Sequence, residues 1–368
     1  MSLSTTIASI LQQYIEQGIE EGLQLCVYHH GQRIVDLSAG VRNTAGDALT
    51  PDTLIFGWSM TKGITALAIH QLAERGLLAY DDPVCRYWPE FAQNGKRFIS
   101  IRQLLTHTSG MQHMPHVSTE EICDWNAMCA RFAAMAPQSY PGEVSAYHAI
   151  SYGWLLGELI RRVDGRPIGT YVHDEICAPL GITDLYIGLP VARQHASADL
   201  SYDAKNAVLN ADHVGNQQIA DAPHLFANRH DVRAAAIPGA NVMASARALA
   251  TVYASLVGEG VNGIRLLSAR RVDMLRSVQR SAIDGTVAFK MLFGLGYQLP
   301  DYENPSPMSH RTGVFGHGGW GGSMSFADPD QQFAFSLTKT RMVTDIEPLP
   351  IGMVVADAIR TELGIPSR

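Results

Sequence analysis

The sequence predicts an α+β fold: one antiparallel sheet assembled from the two ends of the chain, with a mainly helical segment inserted between them. Three observations carry this. Strand-like patterns lie towards both termini, at 23–28 and 33–37 and again at 293–299, 323–327 and 332–338. Between about 77 and 235, helical patterns and irregular segments dominate. The chain opens helix, hairpin, helix, which is not the order of a βαβ unit.

The elements follow in order. Residues 4–18 carry Ile7, Ile10, Leu11, Tyr14 and Ile15 at helical spacing, with Ser4 as the expected cap. The turn His29-His30-Gly31-Gln32 joins the first two strands as a hairpin. Met60, Ile64, Leu67, Ala68 and Leu72 predict an amphipathic helix over about 59–75, stopped at Gly76, with Ser59 in its first turn. Ile101 to Gly110 is expected to be a helix running into a Gly-stopped turn, and a further helix is expected at 152–163, ended by Gly165. Residues 191–233 are polar, His- and Asn-rich and weakly periodic, and read as a long loop that shapes a binding cleft. Helices at 245–256 and 268–278, capped by Ser245 and Ser268, and at 351–363 complete the pattern. The expected division is a sheet subdomain of 1–62 and 238–368 and a helical subdomain of 63–237, forming a single domain with the active site in the cleft between them.

Composition narrows the function. The 368 residues are 46% apolar and carry a net charge of −7 with no basic run, which argues against a nucleic-acid partner. No apolar stretch is long enough to span a membrane, and the N-terminus lacks a basic segment leading into an apolar one. Five widely spaced cysteines, Cys26, Cys85, Cys123, Cys129 and Cys177, form no Cys-x-x-Cys and read as reduced thiols of a cytoplasmic protein. No metal or cofactor is expected. His107, His113 and His116 lack carboxylate partners at ligand spacing. Gly316-His317-Gly318-Gly319-Trp320-Gly321 satisfies a dinucleotide-site pattern, but no helix opens after it.

The chemistry centres on Ser59-Met60-Thr61-Lys62. A serine three residues before a lysine on one helix face can pair a hydroxyl nucleophile with an amine base. The spacing recurs at Ser336-Leu337-Thr338-Lys339, yet that segment reads as a strand, where residues three apart point to opposite faces. The second copy is therefore read as chance. There is no Gly-x-Ser-x-Gly elbow of the α/β-hydrolase kind.

Four ordered segments resemble the serine β-lactamase/penicillin-binding-protein superfamily: Phe56 to Lys62, Leu104 to Gly110, Tyr147 leading into Tyr152-Gly153-Trp154, and Gly316-His317-Gly318-Gly319. The resemblance is closest to the class C β-lactamase-like branch, which includes the family VIII carboxylesterases. It implies Ser59 as nucleophile, Lys62 as base, Tyr147 as the phenol that shares proton transfer, and His107 as a buttress of the turn after its helix. It also implies a third motif at His317, Gly318 and Gly319, and an oxyanion hole from the backbone amides of Ser59 and Trp320. Trp58, Phe315 and Trp320 are expected to wall an acyl pocket.

Two departures from the β-lactamase pattern shape the expected activity. Ala149 stands where β-lactamases carry the asparagine of Tyr-x-Asn, and His317 replaces a lysine that helps hold a substrate carboxylate. Both weaken recognition of an N-acylated β-lactam and favour a carboxylesterase acting on small to medium acyl esters. A β-lactamase, a D-amino-acid amidase or peptidase, or an acyltransferase of the same superfamily are the alternatives, with a non-catalytic sensor behind them.

Overall fold

The computed structural model describes residues 2–203, 209–301, 306–308, 311–343 and 350–366. It has the predicted α+β architecture. The strands are β1 (Gly22–His29), β2 (Gln32–Gly40), β3 (Ile55–Phe56), β4 (Leu185–Ile187), β5 (Ser201–Tyr202), β6 (Val242–Ala244), β7 (Arg280–Ile283), β8 (Lys290–Phe293), β9 (Gln298–Leu299), β10 (Phe315–Gly318), β11 (Met324–Asp328), β12 (Phe333–Lys339) and β13 (Arg341–Met342). Eight of them form an antiparallel sheet in the order β2-β1-β12-β11-β10-β9-β8-β7, which places the N-terminal hairpin beside the C-terminal strands.

Both faces of the sheet are covered, so β1 is buried almost throughout. Leu23, Leu25 and Val27 pack in one core with Ile7 and Leu11 of α1 (Leu3–Glu16), Phe335, and Val355 and Ile359 of the Ile351–Glu362 helix. The alternate residues turn to the Ala246–Ala254 helix: the Gln24 side chain accepts from the Ala246 amide (3.0 Å) and Tyr28 bonds Thr251 (3.0 Å). α1 is capped by Ser2, not Ser4, since it is the Ser2 hydroxyl that accepts from the Thr5 amide.

On that second side lies α2 (Thr61–Glu74), buried on every face from Thr61 to Ala73. The amphipathic reading is corrected here. Its polar residues find buried partners instead of water: His70 bonds the Tyr80 hydroxyl (2.6 Å) and the Leu295 carbonyl (2.9 Å), and the Thr65 hydroxyl donates to Pro238 O (2.6 Å). Beyond it pack α3 (Ile101–Leu105), α4 (Thr119–Ile122), α5 (Trp125–Ala134) and α6 (Tyr152–Asp164). A small sheet in the order β3-β6-β4 leads into α2.

Two further expectations differ. The single strand at 293–299 is two, β8 and β9, joined by a turn in which the Gly294 amide donates to Tyr297 O (2.9 Å). The 191–233 segment is no plain loop. It holds β5, paired in parallel with β13, and the short helices Ala211–Val214, Gln217–Asp221, Pro223–Ala227 and His230–Ala234, while 204–208 lie outside the described residues. These helices are too short to show a period, although Asn210, Asn216 and Pro223 mark their starts.

Candidate active site

β3 delivers the chain to Gly57, and Trp58 then takes a left-handed backbone (φ 47°) that a bulky residue seldom adopts. Such strain persists where the surroundings hold it, often beside functional groups. Ser59 follows in the turn before α2, so it lies ahead of the helix and not in its first turn. The turn is closed by the Thr61 amide on Trp58 O and the Lys62 amide on Ser59 O, each 3.0 Å.

Lys62 is fully buried, with Nζ 3.0 Å from the Ser59 hydroxyl and 2.6 Å from both Ala149 O and Gly239 O. Burial holds its amine well below the ordinary lysine range. Close backbone packing brings the two carbonyls there: a side chain on Gly239 would meet Ile150 O at 2.5 Å. Ser59 itself is only half-buried and remains open to a substrate.

The Tyr147 phenol interacts with the Ser59 side chain, and Lys62 Nζ lies 4.9 Å from its ring centre. Burial drives the phenol above its usual range, against the hydrogen bond to Ser59 and with the nearby Asp284 carboxylate. The buttressing expected of His107 takes a definite form. Its carbonyl accepts from the Ala146 amide (2.9 Å), its Nδ1 accepts from the His148 amide (3.1 Å), and its ring lies 4.8 Å from that of Tyr147. Because Nδ1 accepts, the His107 imidazole is neutral, as its burial also favours.

His317 sits on β10 with its ring centre 6.1 Å from that of Tyr147. Burial is the leading cause that lowers its imidazole to about 3. Nδ1 bonds the Gly318 carbonyl (2.8 Å), so Nδ1 carries the proton and Nε2 is a buried acceptor with no partner among the described residues. A neutral imidazole offers no charge to a carboxylate. Gly319 follows β10 and packs against the turn that carries Ser59, where a Cβ would meet Gly57 O at 2.5 Å, and among the described residues no backbone carbonyl accepts from the Trp320 amide.

Trp58 and Trp320 stand edge to face (5.1 Å), with Phe226 stacked on Trp58 (6.2 Å) and Tyr202 set against Trp320 (6.4 Å). Phe315 does not join this wall. It points into the core against Tyr297 (5.1 Å) and Tyr253 (6.2 Å) and is 0% exposed, so its expected place in an acyl pocket is corrected. His113 stacks edge-on to His213 (5.7 Å) and His116 pairs with Asp212 (2.8 Å). The second serine–lysine spacing faces two ways: Ser336 bonds Ser325 (2.7 Å), and Lys339 pairs with Glu20.

Sequence reasoning missed Gly239, Phe226, Tyr202, Asp284 and Thr286. Asp284-Gly285 carried a turn signal, but nothing local says that such a turn reaches Tyr147.

Fold and site together define a serine hydrolase. Residues 7–355 match the Beta-lactamase family, and the chain belongs to it. An esterase/β-lactamase of Mycobacterium tuberculosis, LipL, is 32% identical over 348 residues, covering 88% of this chain and 78% of that protein. The crystal structure of a family VIII carboxylesterase superposes with a TM-score of 0.88 at 31% identity over 97% of each chain. A penicillin-binding-protein homologue from Caulobacter crescentus gives 0.87 at 31% identity over 98% of each. No helix among the described residues is long and apolar enough to cross a membrane.

Proposed function

We propose that the chain is a carboxylesterase for uncharged esters of small to medium acyl groups, working through an acyl-enzyme on Ser59. The observation that carries this reading is the Ser59–Lys62 pair beside a neutral His317: a primed nucleophile facing a pocket without a fixed positive charge. The Ser59 proton passes to Lys62 as Oγ attacks the ester carbonyl. The amides of Ser59 and Trp320 hold the oxyanion. Tyr147 donates its proton to the departing alkoxide and regains one from Lys62, and water then releases the acid from the acyl-enzyme with the proton path reversed. Trp58 and Trp320 wall the acyl side, and His317, Gly318 and Gly319 line the cleft opposite. The names of the Mycobacterium tuberculosis relative and of the family VIII structure support ester substrates. A cytoplasmic location belongs to the same proposal, supported by five unbridged cysteines.

The test is steady-state release of p-nitrophenol from a short-chain ester by wild type and Ser59→Ala, with nitrocefin in parallel. Ester turnover that vanishes in the variant, with little nitrocefin hydrolysis, is the expected result. Strong nitrocefin turnover would move the protein to the β-lactamases. Silence on both substrates would return it to the amidase, transferase or sensor readings.

A further inference from the structure

The loop between β7 and β8 reaches the Tyr147 segment and takes hold of its backbone. Asp284 is 0% exposed, and its Oδ1 accepts from the amides of Tyr147 (3.0 Å), Thr286 (2.9 Å) and Val287 (3.2 Å). The Thr286 hydroxyl donates to the Tyr147 carbonyl (3.0 Å). One residue further out, the Gly285 amide donates to Ser145 O (2.8 Å). Both backbone polar groups of Tyr147 are therefore held by one loop at the far edge of the sheet, although Tyr147 itself belongs to no helix or strand.

This arrangement is more than loop closure. A turn at 284–287 needs an acceptor for the amides of Thr286 and Val287, which an asparagine or a serine would supply. Here the acceptor is a wholly buried carboxylate whose second oxygen, Oδ2, has no partner among the described residues, a placement that costs stability. Oδ1 also spends one of its bonds on a residue far away in sequence, the one whose phenol interacts with Ser59. Burial without full satisfaction, aimed at the reacting group, is the pattern expected where geometry matters more than stability.

We propose that Asp284 is a positioning residue for proton transfer, clamping the Tyr147 backbone together with Thr286 so that the phenol stays on the Ser59 hydroxyl; the proposal rests on the role given to Tyr147 above. The clamp ties the reacting tyrosine of the helical segment to the sheet that carries His317. It fixes the distance across the cleft at the point where the proton moves.

The test compares Thr286→Val, which keeps the side chain's shape and removes only the donor, with Thr286→Ser, which restores it. Asp284→Ala is compared with Asp284→Asn, which keeps the Oδ1 acceptor. For Thr286→Val, kcat on a short-chain p-nitrophenyl ester is expected to fall about tenfold with KM nearly unchanged, the scale of a misplaced proton-transfer group. Thr286→Ser and Asp284→Asn recover most of the loss suffered by their partners. In a Tyr147→Phe background Thr286→Val costs little more, because the group it positions is gone. Thermal melts identify any variant that fails to fold, and the isosteric Thr286→Val decides the matter if Asp284→Ala does not fold. Wild-type kcat in Thr286→Val, or an equal loss with and without the Tyr147 hydroxyl, would overturn the clamp. Full activity in Tyr147→Phe alone would instead overturn the role of Tyr147.

Discussion

Lys62 Nζ stands 3.0 Å from the Ser59 hydroxyl, and the Ala149 and Gly239 carbonyls hold it from behind at 2.6 Å each. An ammonium group would point three N–H donors at these oxygens. A neutral amine has two, which satisfy the carbonyls and leave its lone pair towards the serine. Burial favours the neutral form, and the carbonyls orient it. The same burial makes tyrosinate unfavourable at Tyr147, which fits the proposed roles of the lysine as base and the phenol as a protonated donor.

Lys62→Ala is therefore expected to lower kcat by about 10²–10⁴-fold, the usual range for losing a general base. Lys62→Arg does not rescue it, because a guanidinium keeps its proton. In wild type the base must be neutral, and its titration lies well below the usual lysine range. kcat/KM should be high at neutral pH and fall as acid protonates Lys62. A pH-stat profile checks this, and a profile that rises only towards the ordinary lysine value near 10.5 would contradict it.

Four buried histidines predict acid sensitivity of the fold. Burial is the leading cause in each, taking His70 and His148 to about 4, His317 to about 3, and His107 well below its ordinary value. The unfolded chain takes up protons on them below about 6.5 while the folded chain does not, so stability falls as pH drops from there towards 3–4. Each histidine contributes a slope of up to about 1.4 kcal/mol per pH unit inside that window. Urea midpoints at pH 7.5, 6.5 and 5.5 should decline, and His317→Gln should flatten the decline. Midpoints that hold steady to pH 5 would show these rings to be protonated in the fold.

The parts of the site legible from sequence were those joined by local geometry. Ser59 and Lys62 lie three residues apart at a helix start, so their pairing followed from helical spacing, and Ser336 and Lys339 were separated by the same logic applied to a strand. The hairpin of β1 and β2 and the C-terminal strands showed their alternation. Tyr147 and His317 were legible only through family resemblance, because nothing in the chain says which distant segments meet. Asp284, Thr286, Gly239 and Phe226 act through contacts set by the packed fold, and no period or spacing encodes them. α2 misled because a helix buried on both sides satisfies its polar residues internally, whereas sequence pattern assumes they face water. Phe315 misled for a related reason: an aromatic next to a motif can as easily point into the core.

The second serine–lysine spacing gives a control. Ser336→Ala should leave ester turnover within about twofold of wild type, since Ser336 belongs to the interior of the sheet. It should cost about 1–3 kcal/mol of stability, because Ser325 loses its buried partner. Labelling by a fluorophosphonate probe should persist in Ser336→Ala and vanish in Ser59→Ala. Labelling that survives Ser59→Ala would displace Ser59 from its assigned role.

Gly239→Ala tests how the base is held. The added Cβ would stand 2.5 Å from Ile150 O and 3.0 Å from Gly153 N, both backbone atoms that cannot rotate away. One of the two segments must move, and the Gly239 carbonyl that holds Lys62 moves with it. A stability loss of about 1–3 kcal/mol is expected from the overpacking alone. Catalysis should suffer separately: once an N–H of Lys62 loses its acceptor, the amine can rotate and its lone pair no longer faces Ser59. The expected signature is a fall in kcat at nearly constant KM, measured on protein shown by thermal melt to be folded at the assay temperature. A variant with reduced melting temperature and unchanged kcat would mean that the Ala149 carbonyl alone suffices to orient the base.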